Sequence, residues 1–223
     1  MRKLTYFDLG KVPYQQACII QQRLVEKVLS EGNSQAYLLL LEHDPPVITL
    51  GRRGAFDDIL AGEEKLKQMG IEIHKSARGG QVTYHCPGQL VCYPIMKLIK
   101  QGRTIHRYVH MLEDAIILTL KHFGIESRAR PDAIGVWVGD EKIASIGVAV
   151  SKWVAWHGFA LNVSSDSLEL SSLIVPCGNP AEKMTSMSKV LNETIPLPDV
   201  KQSIIKSMME IFSFKDVEEG NPQ

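Results

Sequence analysis

The sequence predicts an α+β fold in which helices flank a mixed β-sheet. Apolar residues recur at helical spacing in several segments, and shorter apolar runs bounded by turn residues lie between them. Strand segments that follow one another across short turns favour antiparallel neighbours. No change of composition divides the 223 residues, so we expect a single domain over residues 1–223.

The first hundred residues predict two helices among several strands. Pro13 opens a helix with Ala17 and Leu24 on its apolar face, because proline suits the first helical position. A second helix is expected over residues 59–69, and the turn at residues 87–88 predicts either a hairpin or a tight connection. Strands are expected over residues 4–8, 36–42, 47–50, 71–75, 82–84 and 90–93.

The second half predicts two longer helices and a hairpin. Thr104 is an N-cap residue, and apolar residues then recur every three or four positions up to Gly124. A Gly-Asp turn between strands over residues 134–138 and 142–150 predicts a hairpin. A further strand is expected over residues 154–163, a last helix over 199–214 and a frayed polar tail over 218–223.

The charge balance and the cysteine spacing exclude several classes of function. Lysine plus arginine and aspartate plus glutamate both number 25, so no global attraction to nucleic acid or an acidic membrane is expected. The longest apolar run, residues 36–41, is too short to span a bilayer. The N-terminus has no apolar h-region, so a secretory signal is not expected. The four cysteines have no metal-ligand spacing, which predicts free thiols in a cytoplasmic protein without a bound metal.

Polar and small residues are densest between Arg78 and Gln89. Two adjacent glycines allow a backbone to approach a ligand closely, Arg78 can hold an anionic or carbonyl oxygen, and His85 can move protons near neutral pH. A polar β-turn whose side chains only satisfy backbone groups accounts for the same composition. From composition alone, the structural interpretation is favoured over a binding site.

Cys177 and Lys142 form the second candidate constellation. Pro176 and Gly178 flank Cys177 and suit a sharply presented side chain, although a free cysteine is more often a small core residue. Lys142 follows a turn, where a lysine is usually a solvated surface charge. The same ammonium placed beside a thiol would stabilise the thiolate, which is the nucleophilic form.

A further segment, residues 156–163, places small residues on a predicted strand. Gly158 and Ala160 leave room for a ligand or another backbone. His157 has two interpretations of similar weight, a loop histidine bonded to the backbone and a catalytic residue. Cys18 and Cys92 are read as packing residues.

Taken together, these segments resemble the lipoyl(octanoyl) transferase family. The resemblance rests on the string from Arg78 to Tyr93 and on four later pieces in the family's order. Those pieces are residues 142–147, 157–162, 174–178 and 185–186. The similarity extends over nearly the whole chain. One departure is Cys86, where the family usually has glycine.

The resemblance implies a fold like the catalytic domain of biotin and lipoate protein ligases. It also implies that Cys177 is the acyl-thioester nucleophile and that Lys142 lowers its pKa. By the same carry-over, the acyl site is lined by Arg78, Gly79, Gly80, Gln81, Val82, Thr83, Tyr84, His85, Ser145, Ile146, Gly147, Gly158, Phe159 and Ala160.

The implied reaction moves an octanoyl group from octanoyl-acyl carrier protein to a lysine of a lipoyl domain. The acceptors would be the lipoyl domains of 2-oxoacid dehydrogenase complexes and the glycine cleavage H protein. Neither a cofactor nor ATP is expected, because the donor thioester is already activated. We expect a monomer that uses neither nucleic acid nor a membrane as a partner.

Three other functions fit parts of the same sequence. An ATP-dependent lipoate–protein ligase would share the fold and the acceptor but would not need Cys177. A non-catalytic module would bind acyl carriers or lipoyl domains without a covalent adduct. A hydrolase built from Cys177 and His157 would release the free acid.

Overall fold

The structure, a computed structural model, describes residues 3–31, 35–98, 104–175 and 182–221. Cys177 and the predicted helix end at residues 32–33 lie outside the described residues. The described helices are α1 Tyr14–Glu31, α2 Glu63–Gln68, α3 Ile105–His122, α4 Met187–Leu191 and α5 Leu197–Phe212. The described strands are β1 Lys3–Val12, β2 Gln35–His43, β3 Val47–Leu50, β4 Glu72–Lys75, β5 Val82–His85, β6 Gln89–Lys97, β7 Val136–Val138, β8 Glu141–Ser151, β9 Val154–Asn162 and β10 Asp216–Glu219.

Two sheets contain these strands. The larger has the order β10-β1-β2-β6-β9-β8-β7, and the smaller has the order β4-β3-β5. In the larger sheet β1 runs parallel to β2 and β10. The neighbouring pairs β2–β6, β6–β9, β9–β8 and β8–β7 are antiparallel. In the smaller sheet β3 is parallel to β4 and antiparallel to β5. The predicted α+β class with a mixed sheet is therefore confirmed.

Helices cover both faces of the larger sheet. Leu38 and Leu40 of β2 point into a core that includes Leu112 of α3 and Ile204 of α5. Leu39, on the same strand, points to the opposite face, into a core shared with α1. Because side chains alternate across a strand, a run without polar residues is what a strand covered on both faces requires.

The predicted hairpin and the predicted caps also agree with the structure. β7 and β8 pair antiparallel around the turn at Gly139, which has a φ of 56°. The hydroxyl of Thr104 accepts a hydrogen bond from the backbone N–H of Arg107 at 3.2 Å, as an N-cap does. The helix and strand predicted after these elements are found as α5 and β9.

Three local predictions were wrong. The helix predicted from residue 59 begins only at Glu63, because Ile59 instead forms an isolated antiparallel β-bridge to Ile174. The alternative of a hairpin at residues 87–88 fails, since β5 and β6 belong to different sheets and the turn is a tight connection between them. The first two residues of the tail predicted to be frayed, Glu218 and Glu219, belong to β10, which pairs with β1. A carboxylate oxygen of Glu218 lies 2.6 Å from the ammonium of Lys3.

Candidate active site

A cavity lies where the loop before β5 meets strands β8 and β9. Its empty volume is about 510 Å³, including the part open to solvent. Its walls come from the β5 region, the middle of β8 and the middle of β9, with two tyrosines from α1 and β6. The lining residues are Tyr14, Arg78, Gly80, Gln81, Val82, Thr83, His85, Tyr93, Ser145, Ile146, Gly147, His157, Gly158, Phe159 and Ala160.

Most residues predicted for the acyl site lie on these walls, and two do not. The backbone N–H of Gly79 donates to the carbonyl of Val148 at 2.8 Å, which ties the loop to β8 behind the cavity surface. Tyr84 points into the apolar cluster of the smaller sheet, because alternate residues of β5 face opposite ways. The sequence reasoning missed Tyr14, which lies on the buried face of α1.

Two glycines facing each other across β8 and β9 allow the strands and the arginine to pack closely. Gly147 pairs with Gly158 in the sheet register. A Cβ at Gly147 would lie 2.9 Å from Cδ of Arg78, and a Cβ at Gly158 would collide with the carbonyl oxygen of Cys92. The absence of side chains therefore lets the stem of Arg78 lie against β8.

Arg78 uses its guanidinium to hold the cavity wall together. Its Nη2 donates to the carbonyl of Thr49 at 2.6 Å and to the Thr49 hydroxyl at 2.8 Å, and its Nε donates to the same hydroxyl at 3.1 Å. Its Nη1 donates to the carbonyl of Gly79 at 3.1 Å. The side chain thus fastens the glycine loop to β3 and brings a fixed positive charge to the cavity.

Three buried histidines around the cavity are held neutral. Burial lowers the pKa of His43 to about 4, and it lowers the pKa of His157 to about 3 with help from the charge of Arg78. Burial also lowers the pKa of His85 well below its ordinary value. His43 contacts the Tyr93 hydroxyl through Nε2 at 2.8 Å and the Val12 carbonyl through Nδ1 at 3.1 Å. Because a carbonyl can only accept, Nδ1 of His43 carries the proton.

The structure corrects the interpretation of His157 as a loop residue. His157 lies within β9 with a φ of 56°, and its backbone N–H donates to the side-chain oxygen of Gln21 at 2.8 Å. Its ring stacks on Trp156 with ring centroids 4.2 Å apart. The residue therefore forms part of the buried wall between α1 and the sheet.

Lys142 lies at the start of β8 and is buried. The expectation of a solvated hairpin lysine is wrong, because its side chain is only 1% exposed. Its ammonium lies 3.1 Å from both carboxylate oxygens of Glu182 and 5.0 Å from the ring centroid of Trp137. A Cβ at Gly135 would lie 2.6 Å from Cε of Lys142, so a glycine is needed there.

The cysteines that the structure describes have the properties of packing residues. Burial raises the pKa of the Cys86 thiol to about 12 and raises that of Cys92 well above its ordinary value. Burial raises the pKa of Cys18 as well. Cys86 packs in the core of the smaller sheet, with its Sγ 3.7 Å from the carbonyl oxygen of Ser167, and it does not line the cavity. None of these three thiols is a thiolate at neutral pH.

The segment that contains Cys177 starts and ends at described residues. The backbone N–H of Val175, just before it, donates to the carbonyl of Asp58 at 2.8 Å. Glu182, just after it, is the ion-pair partner of Lys142. The strand pairing is extended there, since the backbone N–H of Lys142 donates to the carbonyl of Lys183 at 2.8 Å. Lys142 is thus fixed at the end of this segment by both its side chain and its backbone.

Neither a metal site nor a membrane span is found in the described ranges. No group of three histidine, cysteine, aspartate or glutamate side chains within them converges as metal ligands do. No helix among the described residues combines the length and the apolar character that crossing a bilayer requires.

The sequence matches the model of the lipoyl protein ligase A/B catalytic domain over residues 13–209. A relative named octanoyltransferase from Caldicellulosiruptor saccharolyticus is 45% identical over 215 residues, covering 96% of this chain and 90% of the relative. A bipartite lipoate protein ligase from Thermoplasma acidophilum, solved in a study with its E2 lipoyl domain, has a similar structure, with a TM-score of 0.78 at 15% identity over 99% of this chain and 88% of that chain.

A biotin protein ligase from Aquifex aeolicus in complex with biotin and ATP is a more distant structural relative. Its TM-score is 0.55 at 13% identity, covering 96% of this chain and 71% of that chain. Similarity at this identity concerns the fold alone, and it agrees with the architecture described above. The family match and the identity to octanoyltransferases show the family and the enzyme class as well as the fold. The chain belongs to the octanoyltransferase branch of the lipoyl protein ligase A/B catalytic domain family, and it is an acyltransferase.

Proposed function

We propose that this enzyme transfers an octanoyl group from octanoyl-acyl carrier protein to a lysine of a lipoyl domain. The acceptors are the lipoyl domains of 2-oxoacid dehydrogenase complexes and the glycine cleavage H protein. The observation that carries the proposal is 45% identity to an octanoyltransferase over 96% of the chain. The buried Lys142 at the end of the Cys177 segment supports it.

The proposed reaction has two steps that together need no ATP. The Cys177 thiolate attacks the donor's thioester carbonyl, a new C–S bond forms, the C–S bond to the carrier breaks, and the carrier leaves as a thiolate that takes a proton from water. The acceptor's lysine amine then attacks the enzyme thioester, so that a C–N bond forms, the C–S bond to Cys177 breaks and the amine proton passes to the leaving sulfur. The first step exchanges one thioester for another and the second makes a more stable amide, so the sequence runs downhill.

Lys142 supplies the charge that the first step requires. A thiol with an ordinary pKa of about 8.5 is only a few per cent ionised at neutral pH. Lowering that pKa by about 2 units makes the thiolate dominant and takes roughly 2.7 kcal/mol of differential stabilisation. A neighbouring ammonium in a partly desolvated site provides stabilisation of this size. The pairing of Lys142 with Glu182 and Trp137 holds such an ammonium out of water.

The cavity between the sheets would receive the acyl chain. The apolar residues Ile146 and Phe159 lie on its walls, and Gly158 and Ala160 leave space beside β9. Each buried methylene contributes roughly 0.8 kcal/mol, so the walls favour a chain that fills the cavity. A difference of this size discriminates only modestly between neighbouring chain lengths.

The main alternative is a ligase that activates a free acid with ATP. The structural relatives with that name share the fold at 15–16% identity, whereas the octanoyltransferases are 39–46% identical. The much greater identity favours the transferase. A cysteine hydrolase that uses His157 is disfavoured, because burial lowers the pKa of that ring to about 3 and makes it a weak base toward a thiol or water.

An assay without ATP tests the proposal. The purified enzyme, freed of nucleotides, is mixed with octanoyl-acyl carrier protein and a lipoyl domain, and the octanoylated domain is measured by mass. We expect transfer without ATP, and none from free octanoate. Dependence on ATP would support the ligase, and release of octanoate in place of transfer would support the hydrolase.

Replacing the proposed nucleophile gives the decisive comparison. Cys177→Ser is expected to abolish transfer, because a serine hydroxyl stays protonated at neutral pH. Cys18→Ser, at a half-buried thiol outside the cavity lining, is the matched control and should retain activity. Transfer by Cys177→Ser at the wild-type rate would remove the covalent mechanism.

A further inference from the structure

A chain of hydrogen bonds leads from the backbone beside Lys142 to the cavity. The side-chain N–H of Asn162 donates to the carbonyl of Thr185 at 3.0 Å. The side-chain N–H of Gln89 donates to the Asn162 side-chain oxygen at 2.9 Å, and the Gln89 side-chain oxygen lies 2.7 Å from Nδ1 of His85. The four residues therefore form one continuous chain from a backbone carbonyl to an imidazole ring.

The backbone carbonyl fixes the direction of every bond in this chain. A carbonyl oxygen can only accept, so Asn162 must present its NH₂ group to Thr185 and its oxygen to Gln89. Gln89 must then present its NH₂ group to Asn162 and its oxygen to His85. That oxygen needs a donor, so Nδ1 of His85 carries the proton and its other ring nitrogen, Nε2, carries a lone pair.

The surroundings prevent the chain from reversing. Gln89 and Asn162 are buried and pair directly across β6 and β9. Thr185 is held against β8 because its backbone N–H donates to the carbonyl of Lys142 at 2.9 Å. Flipping either amide would place two donors or two acceptors together in a buried site, which costs about 1–3 kcal/mol for each unsatisfied group.

The uncharged Nε2 of His85 is therefore an acceptor at the cavity. His85 lines the cavity and is 7% exposed, and burial keeps its pKa well below the ordinary value. The neighbouring His43 ring, 5.4 Å away between centroids, and the charge of Arg78 add to this effect. Because its pKa is so low, the ring is a weak base, and it orients an N–H group without removing the proton.

We propose that Nε2 of His85 accepts a hydrogen bond from the attacking lysine amine of the lipoyl domain, and that Gln89 and Asn162 are positioning residues that fix the His85 tautomer. The assignment to the second step rests on the proposed function. A neutral amine that donates one N–H to Nε2 has its own lone pair left to attack the thioester carbonyl. The opposite tautomer would present an N–H to the amine and compete for that lone pair.

The tautomer can be measured without any assay of transfer. ¹⁵N NMR of histidine-labelled enzyme distinguishes protonated from bare ring nitrogens, and His85→Gln identifies the His85 signals by their loss. We expect a protonated Nδ1 and a bare Nε2 in the wild type. We expect Gln89→Leu to lose this preference, and Gln35→Leu, on the neighbouring strand β2 at the end far from Gln89, to retain it. A protonated Nε2 in the wild type would overturn the proposal whatever reaction the enzyme catalyses.

A charged replacement separates the proposed role from simple structural support. In Gln89→Glu a carboxylate faces Nδ1, which stabilises the imidazolium and turns Nε2 into a donor. At low pH we expect this variant to transfer the acyl group from the preformed thioester to the lysine about tenfold more slowly than the wild type, a difference of roughly 1.4 kcal/mol. The difference should disappear as the pH rises and the ring loses its proton. Thioester formation should change much less.

The outcomes of the kinetic and NMR experiments are distinct. Slowing confined to thioester formation, or equal at every pH, would overturn the proposal. If the wild type forms no thioester, the proposed function fails, and the NMR experiment still decides the tautomer. Partial recovery of the NMR preference in Gln89→Asn, which keeps an amide, would support positioning over bulk packing.

Discussion

The cavity and the Lys142 site both bury polar side chains, but they treat charge differently. The histidines around the cavity are neutral, and His43 and His85 are held by hydrogen bonds to neighbouring backbone and side-chain groups. At the other site a buried ammonium lies beside a carboxylate and an aromatic face. Burying an ion is costly unless a partner compensates, whereas a neutral polar ring needs only hydrogen bonds.

This difference corresponds to the two steps proposed for the reaction. Forming a thiolate needs a nearby positive charge, and the proposal assigns this role to Lys142. Orienting a neutral amine needs an acceptor that stays uncharged, and the proposal assigns this role to His85. Strand β8 contributes to both regions, with Lys142 at its start and Ser145 to Gly147 on the cavity wall, so one strand sets the distance between the two sites.

Removing the charged partner should have the largest effect. In Lys142→Met a thioether replaces the ammonium on a stem of similar length. Without the cation, the Cys177 thiol should ionise with an ordinary pKa of about 8.5, so thioester formation should fall about 25-fold at neutral pH. The rate should recover as the pH rises above that pKa. Rates measured by mass from pH 6 to about 10 test this. Loss that alkaline pH does not repair would mean that Lys142 has another role.

Protonating the histidines around the cavity should have the next largest effect, which is on the free energy of unfolding. His43 has a folded pKa of about 4 against an ordinary value of 6.5, so the unfolded chain binds more protons between these values. The free energy of unfolding should therefore decrease as the pH falls through this window, by about 2 kcal/mol for His43. Urea unfolding across the window measures the slope. His43→Gln, which cannot titrate, should reduce the slope by the His43 share and leave the share of His85 and His157. An unchanged slope would place the acid sensitivity elsewhere.

Crowding the charged site should have the smallest effect. A Cβ in Gly135→Ala would lie 2.6 Å from Cε of Lys142 and 2.7 Å from the carbonyl oxygen of Ala144, so we expect a loss of about 1–2 kcal/mol in unfolding free energy. Gly139→Ala is the matched control, because its φ is also positive but nothing lies within 4 Å of its Cβ. Thermal unfolding compares them. Equal losses would mean that backbone strain, and not contact with Lys142, explains the effect.

The sequence predicts the core strands and long helices well, because their burial depends on local periodicity. The run over residues 36–41 and the cap at Thr104 are examples. The tail strand was missed since its pairing depends on the free edge of β1, more than two hundred residues earlier. Helix α2 was predicted too long because Ile59 pairs with a distant residue. Local patterns do not contain such long-range pairing.

The site was predictable as a set of motifs but not as a set of contacts. The motif between Arg78 and His85 supplies much of the cavity wall. The sequence makes Lys142 a candidate, but only the structure shows its burial. The ion pair with Glu182 had no local signal, because the two residues are 40 positions apart. The chain from Thr185 to His85 likewise joins three separate strand or loop segments.

The most direct test of the proposed reaction follows the enzyme's own mass. The wild type is mixed with octanoyl-acyl carrier protein, and intact mass spectrometry is recorded before and after a lipoyl domain is added. We predict one octanoyl adduct that maps to Cys177, disappears on addition of the domain, and reappears on the domain's lysine. An enzyme that octanoylates the domain without ever carrying the adduct, or that carries it on another residue, would contradict the account.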